Sequence, residues 1–215
     1  MTEIPHLTVT RISDLSPLGD PEILLSDIGR QVTGLIALYN LAHPGEMVPK
    51  TPSEIYHQFL AGESLVMITP AAPYQVLFHG TLYPLSEKVM EFGSVITHPD
   101  FRGLGLGTLG SREMVAYTHR LNHASFCIST VKQELTAWVL QSASMLPVSF
   151  YNFPRLTSLT CTCDHASACQ SRRQQIDSTP EKFSALLIRD RPPGKIPCTL
   201  MLSDVSLAIK HEQSG

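Results

Sequence analysis

Residues 95–107 read Val-Ile-Thr-His-Pro-Asp-Phe-Arg-Gly-Leu-Gly-Leu-Gly. An apolar run typical of a strand comes first, glycines then occupy every second position from Gly103, and a helical pattern begins at Leu106. Glycine leaves room for a phosphate beside the backbone and adopts the positive φ that turns successive N–H groups toward it. The N-terminus of the following helix adds its positive end. The stretch therefore predicts a site for a pyrophosphate group.

Glycines at these positions are also found in tight turns and in P-loops. A tight turn would use them only to make room for packing of the helix on the sheet. A P-loop would need a lysine after its last glycine, and no lysine occurs between Lys88 and Lys132, so the P-loop is excluded.

A dinucleotide-binding loop also fits the spacing. The chain has Gly105-x-Gly107-x-x-Gly110, and Glu134 lies at a suitable distance beyond it for a ribose contact. In such folds, however, the glycines directly follow a nearly continuous apolar strand, whereas His98–Arg102 intervenes here. An NAD(P)-dependent oxidoreductase therefore stays as the third functional alternative.

Hydrophobic periodicity predicts an α/β or α+β fold, because strand and helix patterns alternate along the chain. One helix is indicated by apolar residues at steps of three and four from Leu25 to Tyr39, and another by a capping box at Thr51–Glu54. Short connections favour an antiparallel meander in the middle of the chain. The predicted strands are Leu7–Ile12, Leu65–Thr69, Tyr74–Tyr83, Val89–Thr97, Ala124–Val131 and Cys198–Leu202, and the predicted helices are Glu22–Leu41, Pro52–Ala61, Leu106–Leu121 and Glu134–Met145.

The loop and the order of elements resemble the GCN5-related N-acetyltransferases. That family ends a strand with Val-x-x-x-Pro and continues with Arg/Gln-x-x-Gly-x-Gly/Ala, and this chain has Val95 to Pro99 and then Arg102 to Gly107. The resemblance covers about residues 6–153 and implies a central, mostly antiparallel mixed sheet with helices on both faces and splayed fourth and fifth strands. We expect a domain over residues 1–153 and a C-terminal extension over 154–215 that completes the sheet without being an independent domain.

The resemblance implies acetyl-CoA as the co-substrate. Backbone amides of the glycine loop would hold the CoA pyrophosphate, and main-chain groups of the preceding strand would pair with the pantetheine arm. The residues that it assigns to CoA are Val95, Ile96, Arg102, Gly103, Leu104, Gly105, Leu106, Gly107 and Thr108.

Acyl transfer to an amine also needs a base, because an ammonium ion with a pKa of about 10 is not a nucleophile. Glu91 lies on the strand before the loop, where family members carry a glutamate base, and it shares a face with Val95 if the strand alternates regularly. A solvent-facing glutamate is the alternative. In the family, a tyrosine on the fourth helix commonly serves as the acid for the thiolate leaving group, and Gln141 occupies its position here. The nearby hydroxyls are those of Ser142 and Tyr151, and Tyr151 is the candidate acid.

The acceptor is expected to be a small-molecule or peptide amine. The family builds the acceptor pocket from the loop between the first two helices, here Ala42–Lys50, and from the hairpin strands. The polar and aromatic residues available there are His43, Glu46, Tyr74, His79 and Tyr83, and each of them also fits an ordinary loop or sheet position. Without the family's tyrosine, a protein that binds acyl-CoA without turnover is the second functional alternative.

Four of the five cysteines lie in the irregular region after Pro147. Zinc needs four thiolate or imidazole ligands in a tetrahedron, and a structural zinc site would use Cys161, Cys163, Cys169 and Cys198. Such a site would hold a segment with little apolar periodicity. Ordinary thiols and a disulfide are the alternatives.

Composition excludes several partners. Sixteen Lys and Arg against nineteen Asp and Glu give a net charge of −3, with no run of like charges, so neither nucleic acid nor a membrane surface is expected. No apolar stretch approaches the roughly 18 residues of a membrane span, and Met1–His6 lacks the pattern of a signal peptide. We expect a cytoplasmic protein; whether it is a monomer or a homodimer stays open.

Overall fold

The computed structural model describes residues 5–44, 47–121, 126–131, 134–148, 153, 155–156 and 199–213. The chain divides into two compact units. The first comprises Met1–Pro84 and Phe92–Met114, and the second comprises Leu85–Glu91 and Val115–Gly215. No helix among the described residues is long and apolar enough to span a membrane.

The first unit holds four strands in the hydrogen-bonded order β1-β2-β3-β4. Strands β1 and β2 are antiparallel, as are β2 and β3, with Leu7 opposite Ile68 and Ser64 opposite Thr81. The residues of β4 before Phe92 belong to the second unit, and so do the residues of helix α3 after Met114. The elements are β1 (Leu7–Val9), a 3-10 helix (Ile12–Leu18), α1 (Pro21–Ala42), α2 (Pro52–Leu60), β2 (Ser64–Ile68), β3 (Val76–Ser86), β4 (Val89–Thr97), a 3-10 turn (Pro99–Phe101) and α3 (Leu106–Leu121).

Local signals explain where the first two helices begin. The Asp20 carboxylate accepts hydrogen bonds from the N–H groups of Glu22 and Ile23, which caps α1. The predicted capping box opens α2, because Thr51 Oγ1 accepts from the Glu54 N–H at 3.2 Å while the Glu54 carboxylate accepts from the Thr51 N–H at 2.6 Å. Both predicted helices are confirmed.

The prediction for the first strand is wrong at its end. Strand β1 stops at Val9 rather than Ile12. Asp14 is the cause, because its carboxylate accepts hydrogen bonds from the N–H groups of Thr10 and Arg11 at 2.8 and 2.9 Å and draws the chain into the 3-10 helix.

The core of the first unit lies where α1 and α2 pack on one face of the strands. The predicted stripe of α1 is buried, since Leu25, Ile28 and Val32 are at most 2% exposed. Helix α3 packs on β3 through glycine, because a Cβ on Gly110 would lie 2.5 Å from the Phe78 ring. The buried residues of this core are Val9, Leu15, Leu25, Ile28, Val32, Leu35, Ile36, Ile55, Phe59, Val66, Ile68, Val76 and Ile96.

The second unit continues the strand order as β4-β5-β7-β6. Strands β4 and β5 are parallel, with Val89 opposite Phe126 and Glu91 opposite Ile128, whereas β7 is antiparallel to β5 and to β6. The predicted mixed, mostly antiparallel sheet is confirmed. The elements are β5 (Phe126–Val131), α4 (Glu134–Ser142), β6 (Leu146–Val148), β7 (Thr199–Leu202) and α5 (Val205–Gln213).

Helix α4 ends three residues before the predicted Met145. Ser144 has a φ of +67°, and the N–H groups of Ser144 and Met145 donate to the carbonyls of Gln141 and Leu140 at 2.9 and 3.0 Å. This is the hydrogen-bond pattern of a Schellman motif, which closes a helix. A small core of Val89, Phe153, Leu156, Leu200, Leu202 and Ala208 lies in this unit.

Candidate functional site

Strand β4 is irregular shortly before the glycine loop. Ser94 has a φ of +48°, a left-handed conformation that departs from the extended geometry of a strand. The Ser94 hydroxyl is 3.0 Å from the Tyr83 hydroxyl on β3. The regular alternation assumed from Val89 to Val95 is therefore interrupted at Ser94.

The glycine loop follows the end of β4 through a tight turn. The N–H groups of Phe101 and Arg102 donate to the carbonyls of His98 and Pro99 at 3.0 and 3.2 Å. Gly103 and Gly105 then adopt φ values of +78° and +83°, which favour glycine. These two residues reverse the chain into α3 as the sequence predicts.

The start of α3 holds backbone donors that the helix itself does not use. The first helical hydrogen bond runs from the Leu109 N–H to the Gly105 carbonyl at 3.0 Å. The N–H groups from Leu106 to Thr108 therefore have no acceptor within the helix. Leu106 is 2% exposed and anchors the helix, while residues 102–104 are exposed.

The space beside the loop is compatible with a phosphate group. A Cβ on Gly103 would meet no heavy atom within 4 Å, and one on Gly107 would meet only Thr97 Oγ1, at 3.4 Å. Open space, N–H donors and the positive end of a 16-residue helix are the properties that a pyrophosphate needs. The residues present therefore fit the CoA pyrophosphate.

A buried polar cluster lies on β3 and its neighbours in the same unit. Lys50, which directly precedes the α2 cap, is 7% exposed. Its Nζ donates to Gln58 Oε1 at 2.9 Å and to Thr81 Oγ1 at 3.2 Å, and lies 4.9 Å from the centre of the Tyr83 ring. We call Lys50, Gln58, Ser64, His79, Thr81, Tyr83 and Ser94 the Lys50 cluster.

His79 is fully buried in this cluster, as are Ser64 and Thr81. Its Nε2 is 3.1 Å from Ser64 Oγ, and Nδ1 has no hydrogen-bond partner among the described residues. Burial lowers the pKa of His79 to about 3, the Lys50 ammonium contributes to the decrease, and the Ser94 backbone opposes it. His79 is therefore a neutral imidazole at physiological pH.

Comparison with known proteins identifies the fold. No protein-family model and no curated protein matches the chain. Among solved structures, Rv2747 of Mycobacterium tuberculosis, in complex with CoA and a second ligand, is similar over 91% of this chain and 97% of its own, at 14% identity and a TM-score of 0.50. N-acetylglutamate synthase of Neisseria gonorrhoeae, complexed with coenzyme A and N-acetyl-glutamate, is similar over 94% of this chain and 35% of its own, at 10% identity and a TM-score of 0.51.

The chain has the acyl-CoA N-acyltransferase fold. An acyl-CoA N-acyltransferase of Pseudomonas aeruginosa is also similar, over 94% of this chain and all of its own, at 12% identity and a TM-score of 0.49. The Mycobacterium and Neisseria structures confirm the predicted fold class, and the resemblance of the loop to the GCN5-related enzymes agrees with it.

Within this fold, the predicted acceptor residues separate into two groups. His79 and Tyr83 belong to the Lys50 cluster. His43 instead is exposed and stacks on Tyr39, with ring centres 4.6 Å apart, while the Tyr74 hydroxyl donates to the Leu18 carbonyl at 3.4 Å. Glu46 lies outside the described residues.

The predicted catalytic residues are less fully described. Glu91 is half-buried on the part of β4 that belongs to the second unit. Gln141 is exposed, and the Ser142 hydroxyl donates to the Trp138 carbonyl at 3.0 Å within α4. Tyr151 lies outside the described residues, so its role as the acid stays a prediction.

The predicted zinc ligands also lie outside the part of the chain that the structure describes. Within the described ranges, no group of three or more His, Cys, Asp or Glu side chains could hold a metal ion. The zinc site on Cys161, Cys163, Cys169 and Cys198 thus stays a prediction.

Sequence reasoning missed the central residue of the buried cluster. The sequence indicates Lys50 only as the last residue of a loop, because lysine is normally exposed and no local pattern shows that it is buried. A signal did exist for its neighbours: His79, Thr81 and Tyr83 alternate along β3 and therefore share one face.

Proposed function

We propose that this protein transfers an acetyl or other short acyl group from acyl-CoA to a primary amine in the cytoplasm. The observation that supports this most strongly is the glycine loop, which has positive φ at Gly103 and Gly105 and lies between strand β4 and the N-terminus of α3. The acyl-CoA N-acyltransferase fold supports the proposal, as does the presence of CoA in the two similar structures named above.

The CoA moiety would be held mainly by the backbone. The N–H groups from Gly103 to Thr108 would bind the pyrophosphate oxygens, where the helix end favours negative charge. The predicted Arg102 N–H instead donates to the Pro99 carbonyl. Main-chain groups of Val95 and Ile96 would pair with the pantetheine arm, since the left-handed conformation of Ser94 interrupts the regular course of β4 just before them.

The reaction would be a direct attack in a ternary complex. The amine nitrogen forms a C–N bond with the thioester carbonyl carbon, the C–S bond breaks, the nitrogen loses a proton and the CoA sulfur leaves as a thiolate or thiol. Glu91 would accept the amine proton through water, and Tyr151 would donate a proton to the sulfur. A thiol with a pKa near 8.5 also leaves without full protonation, so the reaction does not depend on Tyr151.

The second candidate function is binding of acyl-CoA without turnover. Gln141 favours it, because an exposed amide occupies the position where the family carries its acidic tyrosine. Two measurements separate the candidates. Calorimetric titration with acetyl-CoA tests binding, and release of free CoA thiol in the presence of a panel of primary amines tests transfer.

The expected result is saturable binding and amine-dependent thiol release. Binding without thiol release for any amine selects the second candidate. Absence of CoA binding contradicts both, and binding of NAD(P) instead selects the oxidoreductase.

A further inference from the structure

Lys50 is a buried cation whose partners are all neutral. Its ammonium group bonds to the Gln58 amide oxygen and the Thr81 hydroxyl and faces the Tyr83 ring. Burial of a charge without an opposite charge is costly, so buried lysines are nearly always paired. The described contacts of Lys50 therefore do not balance the charge of its ammonium group.

Acidic side chains of the described residues do not supply the missing charge. The two ion pairs described, Arg30 with Asp27 and His98 with Asp100, do not include Lys50. Lys50 does lower the pKa of Glu54, but that effect is smaller than the effect of the Thr51 hydrogen bonds, and Glu54 is exposed at the α2 cap. An ammonium has three N–H donors, and the two bonds described leave one for a further acceptor.

The rest of the cluster restricts the charge of that acceptor. His79 is neutral, so Lys50 supplies the only positive charge among its described members. The Thr81 and Tyr83 hydroxyls can donate or accept hydrogen bonds. A single positive charge beside hydroxyl groups matches a carboxylate, which carries one negative charge, better than a phosphate, which carries up to two.

The cluster also adjoins the strand to which we assign the pantetheine arm. Tyr83 lies under the Lys50 ammonium and its hydroxyl is 3.0 Å from that of Ser94, the residue of β4 with a positive φ. Val95 and Ile96 directly follow Ser94. All of these residues belong to the first unit.

We propose that Lys50 binds a carboxylate group of a substrate, next to Tyr83 and Ser94. This inference rests on the proposed acyl transfer. The carboxylate has two possible sources: an acceptor such as an amino acid, or the acyl chain of a dicarboxylic acyl-CoA such as succinyl-CoA.

Matched substrate pairs distinguish these sources. In the first arm, thiol release from acetyl-CoA is measured with L-amino acids and with their α-carboxamides, and with glutamate against glutamine and aspartate against asparagine. In the second arm, succinyl-CoA is compared with acetyl-CoA on one uncharged amine. The wild-type protein is expected to prefer the carboxylate in one arm by roughly 10- to 100-fold in kcat/KM, the worth of a hydrogen bond to a charged group.

The Lys50→Met variant should lose this preference, while Lys50→Arg should keep most of it because the charge remains. Lys88→Met removes an exposed lysine and serves as the control for net charge. Thermal unfolding of each variant reports on the fold. If Lys50 were only structural, Lys50→Met would slow both members of a pair equally and leave their ratio unchanged, which would overturn the proposal.

Different results contradict the role of Lys50 and the proposed function. Acyl transfer without preference for a carboxylate in either arm overturns the role of Lys50 and leaves the proposed function standing. Absence of thiol release with every amine and both acyl-CoA compounds removes the proposed function, and the role of Lys50 with it.

Discussion

Acidification from pH 7 to pH 5 should destabilise the protein through His79. The side chain is fully buried, and its pKa is lowered from 6.5 to about 3, first by burial and second by Lys50. In the unfolded chain the imidazole takes up a proton near pH 6.5, whereas in the folded chain it stays neutral down to about pH 3. Its contribution to stability is therefore complete above pH 6.5 and decreases as the pH falls from there toward 3.

The size of the effect follows from the two pKa values. Each pH unit well inside this window costs about 1.4 kcal/mol, because the unfolded state binds one more proton than the folded state. Integrated from pH 7 to pH 5, with the transition of the unfolded imidazole included, the loss is about 2 kcal/mol.

Urea unfolding at pH 7, 6 and 5 measures this loss. The wild-type protein is compared with His79→Gln, which keeps a polar side chain of similar size but does not titrate. Other ionisable groups affect both proteins alike, so the difference between the two pH dependences reports on His79. The free energy of unfolding should fall about 2 kcal/mol more in the wild-type protein than in the variant. Parallel pH dependences would refute the neutral, buried imidazole.

Three further predictions concern other parts of the chain. If Glu91 is the base, Glu91→Gln should lower kcat/KM roughly 10²- to 10⁴-fold near neutral pH and recover at high pH, where the amine deprotonates unaided; a wild-type rate at all pH values would assign the proton elsewhere. Gly110→Ala should cost about 1–3 kcal/mol in urea unfolding, because its Cβ would overlap the Phe78 ring; unchanged stability would mean that α3 shifts freely. Elemental analysis should find one zinc per chain if the predicted cysteine site exists, and much less zinc with no loss of thermal stability on chelation would show ordinary thiols.

Local signals made much of the fold predictable. The periodicity from Leu25 onward, the Thr51–Glu54 capping box and the glycine loop all act between residues close in sequence, and the structure agrees with each. The 3-10 helix at Ile12–Leu18 escaped prediction, because one Asp14 carboxylate overrides an alternating pattern. Strand β6 and helix α5 are short and gave no clear periodic signal.

The candidate site was predictable only where its chemistry is carried by the backbone. Positive φ at Gly103 and Gly105 follows from the residue type in a tight turn, so the loop could be predicted from sequence alone. The Lys50 cluster could not, because it joins Lys50 to Thr81 across 31 positions of the chain and depends on burial that only the packed sheet creates. The positive φ of Ser94 could not be predicted either, because serine is not among the residue types that favour this conformation.

The central claim is that the loop at the head of α3 binds CoA. Its most direct test is calorimetric titration of CoA into the wild-type protein, Gly105→Val and Gly62→Val. Gly62 has a φ of +71°, so valine strains the backbone there much as it does at Gly105, where φ is +83°, but it does so after α2 rather than in the loop. We predict saturable binding to the wild-type protein and to Gly62→Val, and no measurable binding to Gly105→Val, whose branched side chain opposes the positive φ and occupies the space of the phosphate. CoA affinity in a folded Gly105→Val protein equal to that of the wild type would contradict the claim.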